Sequence, residues 1–367
     1  MSVHPMAEGF GRFFLPGPTE VRPEVLAAQA RPMIGHRGAG IQALMAEIQE
    51  GLKKVFVTDR PVIVSTSSAT GLMEAAARNG ASRRVLSLVN GAFSARFAEI
   101  ARACGLEVDE LSVAWGAHHD PGPLAEALEE RDYDAVTVVH SETSTGALND
   151  LPALAEVVGT RPDTLLLVDS VTGVGGAELR TDAWGLDFVL TGSQKAMALP
   201  PGLAFGVASE AMMARSATAP NKGVYFDLEA FASSLGKLQT PNTPALSLLY
   251  AVREQLAWIR EETMEGRWAR HSAMAAATWA WVEGMRQAGI DVGVLAEQGH
   301  RSPTVTCVTL PDGIHGPTIV KRVAERGWVI GGGYGKLKET TIRIGHMGDH
   351  TTEELEALLG DLTEVIR

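Results

Sequence analysis

Residues 135–170 read AVTVVHSETSTGALNDLPALAEVVGTRPDTLLLVDS. Ala135 to Val139 and Thr164 to Val168 are short runs of aliphatic and β-branched residues with no polar alternation. A strand that is apolar throughout needs cover on both faces. Between the two runs, Leu151 to Val158 carries its apolar residues at helical spacing. Strand, helix, strand in so short a span is a crossover unit, which makes the two strands parallel. Each strand gives way abruptly to polar residues, His140 to Gly146 after the first and Asp169-Ser170 after the second.

The same alternation extends outward from this unit. Val62 to Val64 reads as a strand and Thr70 to Asn79 as a helix closed by Gly80. Val85 to Val89 follows, then a helix from Phe93 to Cys104 stopped by Gly105. Phe188 to Leu190 and Leu203 to Val207 complete the set. The pattern predicts an α/β protein with three layers, helices covering both faces of a mostly parallel sheet. Helical spacing dominates from Pro244 to Gly289, where Trp258, Trp268, Trp279 and Trp281 are expected to be buried. Val305 to Leu310, Thr318 to Arg326, Trp328 to Ile330 and Thr341 to Ile344 then alternate strand and helix. Thr351 and Glu354 form a capping box at the start of a last helix that runs to Ile366. These final elements predict a smaller C-terminal α/β domain. The divisions expected are an arm over 1–20, a large domain over 21–255 and a small one over 256–367.

Composition narrows the function. Of 367 residues, 45% are hydrophobic and 21% charged, an ordinary globular balance. Asp and Glu total 44 against 32 Lys and Arg, a net charge of -12 without any dense basic run. Nucleic acid is therefore an unexpected partner. No stretch is apolar enough to span a bilayer, and Met1 to Phe14 lacks the basic and apolar parts of a secretion signal. Cys104 and Cys307 show neither metal-ligand spacing nor a disulfide framework. A cytoplasmic protein of enzyme size is the expectation.

Ligands of open parallel sheets bind beyond the carboxyl ends of the strands, so the residues just after each strand matter most. Ser65-Thr66-Ser67-Ser68-Ala69-Thr70-Gly71 combines small residues with a helix N-terminus, where free N–H groups favour a phosphate. An ordinary cap would read the same in isolation. Asn90-Gly91-Ala92-Phe93 puts an aromatic at the rim, able to cover a flat ligand. His140 to Thr145 are six polar residues in a row. Asp169 is a carboxylate at the tip of an apolar strand, costly there unless a cation faces it. Lys195, in Thr191-Gly192-Ser193-Gln194-Lys195, stands among small and apolar residues, where desolvation lowers an amine's pKa and makes it nucleophilic. Together these features match the needs of pyridoxal phosphate: phosphate cradled, ring stacked, ring nitrogen held by a carboxylate and aldehyde bonded to lysine.

The chain resembles the class V aminotransferases of the fold-type I pyridoxal-phosphate enzymes, most closely the alanine/serine–glyoxylate (serine–pyruvate) branch. The resemblance runs from Phe14-Leu15-Pro16-Gly17-Pro18-Thr19 to Arg343-Ile344-Gly345-His346-Met347-Gly348. Its most specific pieces are His140 to Gly146, Val168-Asp169-Ser170-Val171, and Gly192-Ser193-Gln194-Lys195-Ala196 with Pro200-Pro201-Gly202. It implies that Lys195 bonds the cofactor and shuttles protons and that Asp169 partners the ring nitrogen. Ser68, Ala69, Thr70 and Gln194 would hold the phosphate and Phe93 would stack on the ring. Either Thr143 or Ser144 would meet the phenolic oxygen. Thr240 and Thr243 would reach the phosphate of the other subunit, making a homodimer with shared sites. Arg343 would clamp the substrate carboxylate, a two-pronged contact that lysine cannot copy. The arm, with Gly17, would contribute to substrate binding and to the dimer.

Two features depart from the pattern. Ala69 stands where many relatives have glycine. His36-Arg37, in Gly35-His36-Arg37-Gly38, resembles the pair by which phosphoserine aminotransferases grip a substrate phosphate across the dimer, and it reads equally as a dimer contact. The expected reaction is ping-pong transamination from alanine or serine to glyoxylate or pyruvate. The alternatives are phosphoserine or aspartate with 2-oxoglutarate, or a cysteine desulfurase, although neither cysteine lies in a loop. A nicotinamide oxidoreductase is a poorer match, because Glu178 breaks the glycine fingerprint at Gly173-Val174-Gly175-Gly176. The presence of both Lys195 and Asp169 argues against a scaffold that has lost its activity.

Overall fold

A computed structural model describes residues 10–367; the first nine residues of the expected arm lie outside them. Seven strands form the central sheet, in the order Val62–Ser65, Ala204–Ala208, Phe188–Gly192, Leu165–Asp169, Ala135–Val139, Arg84–Val89 and Glu107–Ser112. All neighbouring pairs are parallel except the two made by Ala204–Ala208, which runs antiparallel to both neighbours. The strands of the crossover unit are buried at every position, as their unbroken apolar runs require. The helix between them spans Leu151–Gly159, its first turn capped by Asp150, which accepts from the Ala153 N–H.

Several elements escaped the sequence, among them the long helix Ala39–Phe56, the helices Glu210–Thr218 and Leu228–Leu235, an edge strand and a short helix of the large domain. The edge strand Glu107–Ser112 is polar at Glu107, Asp109, Glu110 and Ser112 and buries no residue fully, so it lacks the apolar run that marks the central strands. The short helix Pro121–Glu130 buries only Leu124 and Leu128. Gly80 does not stop its helix, which runs Ala69–Gly80 with Ala81 as the cap. A Cβ on Gly80 would stand 3.2 Å from a Leu167 methyl, so the glycine serves close packing on the sheet.

The smaller unit is a five-stranded sheet in the order Phe13–Phe14, Val329–Gly332, Thr341–Ile344, Thr306–Thr309 and Gly293–Val294. Its first strand comes from the N-terminal arm, paired in parallel with Val329 and Ile330. Phe14, Ile330, Ile342, Leu355 and Leu362 share its core. The final helix, Thr352–Ile366, carries the expected capping box of Thr351 and Glu354. The boundary expected at 255–256 falls inside the helix Leu246–Glu262. Along the next helix, Met264–Gln287, Trp268 belongs to the large core and Met274 to the small one. Trp268 is buried, whereas Trp279 and Trp281 are half-buried. Trp258 is 38% exposed, contrary to expectation. It lies on the outer face of its helix, with the Arg22 guanidinium 4.8 Å from its ring.

Candidate active site

The parallel strands Ala135–Val139, Leu165–Asp169 and Phe188–Gly192 end at one edge of the large sheet. There they meet the start of the helix Ala69–Gly80 around a cavity of about 140 Å³. Ser68, Ala69, Thr70, Phe93, Thr143, Asp169, Gln194 and Lys195 all line it. Eight expected site residues, spread over some 130 positions of sequence, thus share one space.

Asp169 ends its strand 3% exposed. Its Oδ1 accepts from the Val171 N–H at 2.8 Å. No guanidinium or ammonium pairs with it among the described residues. Burial pushes its carboxyl up to about 7, against the smaller pull of the Val171 N–H and the Lys195 charge. Across the cavity, the Lys195 Nζ donates to the Pro16 carbonyl at 2.5 Å. Burial, and then the Arg343 charge, bring its amine down to about 8, while Asp169 works the other way. The lowered pKa expected of Lys195 is therefore present, and desolvation is its cause. The turn that carries the lysine is tied to the arm: Thr19 donates from its N–H to the Gln194 carbonyl and from its hydroxyl to that of Lys195, both at 2.9 Å. Gly17 adopts φ +111°, and a Cβ there would lie 2.4 Å from Nζ and 2.5 Å from Cδ of Lys195. Only glycine lets the arm lie this close to the amine.

Ser68 precedes the helix Ala69–Gly80 with its side chain making no cap bond. Its hydroxyl and the first N–H groups of the helix therefore stay available for an anion. Gln194 lines the same end of the cavity.

The polar run after Ala135–Val139 is buried from His140 to Thr145 and organised by Glu142. The Glu142 carboxylate accepts from the N–H groups of Phe93 and Ser94 at 3.1 and 2.9 Å, capping the helix Ala92–Ala103 from outside. It also accepts from the Ser144 hydroxyl at 2.6 Å. A Cβ on Gly91 would fall 2.4 Å from the Glu142 side chain, which explains a glycine at that turn. Thr143 and Ser144 now separate. Ser144 is turned to Glu142 and accepts from the Ala92 N–H, whereas Thr143 lines the cavity. Glu142 was missed as an organiser because, apart from Ser144, its donors Phe93 and Ser94 lie nearly fifty residues away.

Arg343 approaches from the small domain. Its Nε donates to Gly332 O at 2.8 Å and its Nη1 to Thr143 O at 3.1 Å. No carboxylate pairs with it among the described residues, and burial lowers its pKa. Tyr334 and Arg96 were also missed. The Tyr334 ring lies 5.3 Å from that of Phe93 and 5.4 Å from the Arg343 guanidinium carbon. Arg96 lines the cavity and donates to the Tyr334 hydroxyl at 3.2 Å. A signal for Arg96 existed, since it stands three residues after Phe93 on one helix and so on the same face.

Seven expected residues do not line this cavity: Gly17, Ser144 and Arg343 touch Lys195, Glu142 and Thr143 beside it, and His36, Arg37, Thr240 and Thr243 lie apart. Arg37 donates from Nη1 to Thr240 O at 2.7 Å and from Nη2 to Pro241 O at 3.0 Å. Thr240 is buried with its hydroxyl on Asn242 O, Thr243 is exposed, and His36 is half-buried. The cysteines are both free. Cys307 is fully buried, its thiol pushed up to about 11 by burial.

The residues present fit pyridoxal phosphate. An unpaired buried carboxylate calls for a cationic nitrogen, a helix start with its cap side chain unused calls for an anion, and a desolvated amine faces the space between. No group of His, Cys, Asp and Glu suited to a metal ion occurs among the described residues, and no helix there is long and apolar enough to cross a membrane.

Comparison with known proteins agrees with this chemistry. Residues 22–358 match the family Aminotransferase class-V. The chain is 40% identical to an uncharacterized aminotransferase of Methanocaldococcus jannaschii, over 94% of this chain and 90% of that one. It is 34% identical to a serine–glyoxylate aminotransferase of Arabidopsis thaliana, over 97% and 90%. The crystal structure of an alanine–glyoxylate aminotransferase from Nostoc sp. superposes with a TM-score of 0.92 at 31% identity, covering 100% of this chain and 98% of that one. With most of its length matched in sequence and all of it in fold, the chain belongs to the class-V aminotransferases.

Proposed function

We propose that the chain moves the amino group of a small L-amino acid, alanine or serine, to glyoxylate or pyruvate in a ping-pong reaction. The observation that carries the reading is Lys195 and Asp169 facing one cavity, with burial drawing their pKa values to about 8 and about 7. The names of the Arabidopsis and Nostoc relatives support the choice of substrates. Pyridoxal 5'-phosphate, when bound, withdraws electrons from the substrate's Cα and so makes its proton acidic.

The chain's own residues do the rest. Ser68, the N–H groups of Ala69 and Thr70, and Gln194 hold the phosphate. Phe93 would cover one face of the ring, Thr143 would meet the phenolic oxygen, and Asp169 would keep the ring nitrogen charged. Arg343 grips the substrate carboxylate with the N–H groups left over from Gly332 and Thr143. Lys195, whose amine would receive the cofactor's aldehyde, would take the Cα proton as a base and return it as an acid. Gly17 keeps the arm close enough to exclude water. The oxo acid leaves before the acceptor enters. Thr240 and Thr243 complete the phosphate site of a partner subunit in a cytoplasmic homodimer.

The rival reading, phosphoserine or aspartate with 2-oxoglutarate, depended on His36-Arg37. Arg37 commits both terminal nitrogens to carbonyls of the 240–241 segment, which favours its role as a support. A desulfurase needs a reactive mobile thiol, and Cys307 is the opposite.

The test is the absorption spectrum of the purified protein with pyridoxal phosphate, before and after L-serine, L-alanine, L-aspartate and L-phosphoserine added separately. A yellow band that bleaches fastest with serine or alanine supports the reading. Bleaching only with aspartate or phosphoserine would overturn the substrate choice. A protein that never turns yellow would overturn the role of Lys195.

A further inference from the structure

The rim of the cavity carries a residue that neither the motifs nor the proposed chemistry uses. Tyr334 belongs to the small domain, yet its contacts lie on both sides of the site. One side of its ring meets Phe93 at 5.3 Å between centroids. The Arg343 guanidinium stands 5.4 Å from its centroid. Its hydroxyl accepts from Arg96 at 3.2 Å. The next turn, Gly335–Leu337, is held against the large domain as well, with the Lys336 ammonium 4.5 Å from the Trp115 ring. The backbone around it is almost all glycine: Gly331, Gly332 and Gly333 before and Gly335 after. Gly333 has no room for a side chain, since a Cβ would lie 2.1 Å from Leu337 O. The loop is therefore built to present one large side chain.

We propose that Tyr334 determines specificity, as a wall that admits only amino acids with compact side chains. The inference rests on Arg343 receiving the substrate carboxylate, as proposed above. A carboxylate held by Arg343 would stand beside the Tyr334 ring, whose centroid is 5.4 Å from the guanidinium carbon, so the substrate side chain would meet that ring. At 5.3 and 5.4 Å the ring already packs against both Phe93 and Arg343. A methyl or hydroxymethyl group passes beside it, and an isobutyl or benzyl group collides. Packing on Phe93 and Arg343 holds the ring in place, to which the exposed hydrogen bond from Arg96 adds little.

The experiment uses the full chain loaded with pyridoxal phosphate, as wild type, Tyr334→Ala, Tyr334→Leu and Tyr334→Phe. Two quantities are read: kcat/KM for L-leucine relative to L-alanine with glyoxylate, and the calorimetric affinity for 3-phenylpropionate relative to propionate, two unreactive carboxylates. Both ratios should rise by about tenfold or more in Tyr334→Ala, the scale at which a pocket discriminates by one or two methylenes. Tyr334→Leu should fall between, and Tyr334→Phe, which keeps the ring, should stay near wild type. Ratios unchanged in both Tyr334→Ala and Tyr334→Leu would overturn the proposal, and Tyr334→Leu alone decides if the alanine variant fails to fold. If the binding ratio shifts as expected while wild type turns over neither alanine nor serine, the wall stands and the substrate reading falls. If wild type binds 3-phenylpropionate more tightly than propionate, the wall itself falls.

Discussion

Asp169 and Asp349 are both buried carboxylates, 3% and 5% exposed, and the protein treats them in opposite ways. Asp349 accepts from Arg267 at 2.8 Å, from Arg22 at 2.9 Å and from Gln255 at 3.0 Å. Those cations outweigh its burial and hold its pKa below the ordinary range. Asp169 has one backbone N–H, and burial wins. The paired carboxylate is structural. Arg267 also donates to Gly175 O and Ala196 O, the latter beside Lys195. The cluster thus bolts the lysine turn to the loop that follows Arg343 and to the segment after the arm. The unpaired carboxylate is an unmet demand for positive charge, and that demand is what a cationic ligand satisfies. Burial alone does not distinguish a site from a core; the partners do.

The largest expected effect removes the amine that faces Asp169. Lys195→Ala should lower transamination by about 10⁴-fold or more while leaving the melting temperature unchanged or raised, read by steady-state kinetics and thermal unfolding. Normal activity in that variant would break the comparison at its first step.

Asp169→Asn comes next. The folded carboxyl titrates near 7, against 3.8 for an ordinary one. The cofactor-free fold therefore keeps a proton that the unfolded chain gives up, and its stability falls as pH rises from about 4 to about 7. Asparagine removes that loss, so the cofactor-free variant should be the more stable at pH 8, by up to about 4 kcal/mol. The advantage should vanish below pH 4, as denaturant titration at the two pH values would show. Activity should drop by about 100-fold with the ring nitrogen no longer held charged.

Asp349→Ala sharpens the contrast with the opposite sign. It leaves Arg267 with Glu262 as its remaining carboxylate and should cost about 3 kcal/mol at neutral pH, since breaking a buried pair strands the partner charge. A stabilised variant would show that the pair is not what holds the three segments together. The smallest effect belongs to a third buried carboxylate. Glu142→Gln replaces an oxygen that accepts from Phe93, Ser94 or Ser144 with a donor, at about 1–2 kcal/mol of stability. It should also loosen Phe93, visible as weaker retention of pyridoxal phosphate on dialysis.

The strand-end rule carried the reading of the site a long way. Ser68, Phe93, Asp169, Gln194 and Lys195 each follow a strand that an apolar run announces, and all five line one cavity. The rim was less legible. Tyr334 and Arg96 stand near strands that apolar runs announce, yet their meaning depends on a contact between two domains that no local pattern contains. The choice between Thr143 and Ser144 could not be read from adjacent hydroxyls, because it turns on Glu142 capping a helix nearly fifty residues away. Glu107–Ser112 and Trp258 misled for a related reason: an edge strand and an outer helix face need not look apolar, and a tryptophan can rest under an arginine at the surface.

By itself, the order of apolar runs and polar strand ends determined a covered, mostly parallel sheet and the edge at which the cavity lies, because strand burial and helix spacing are local patterns. Only the tertiary structure decided which buried charges are paired, which hydroxyl faces the cavity and which aromatic ring packs against Phe93. Those outcomes are set by desolvation and by partners brought in from distant segments, and neither quantity has a value until the chain is packed.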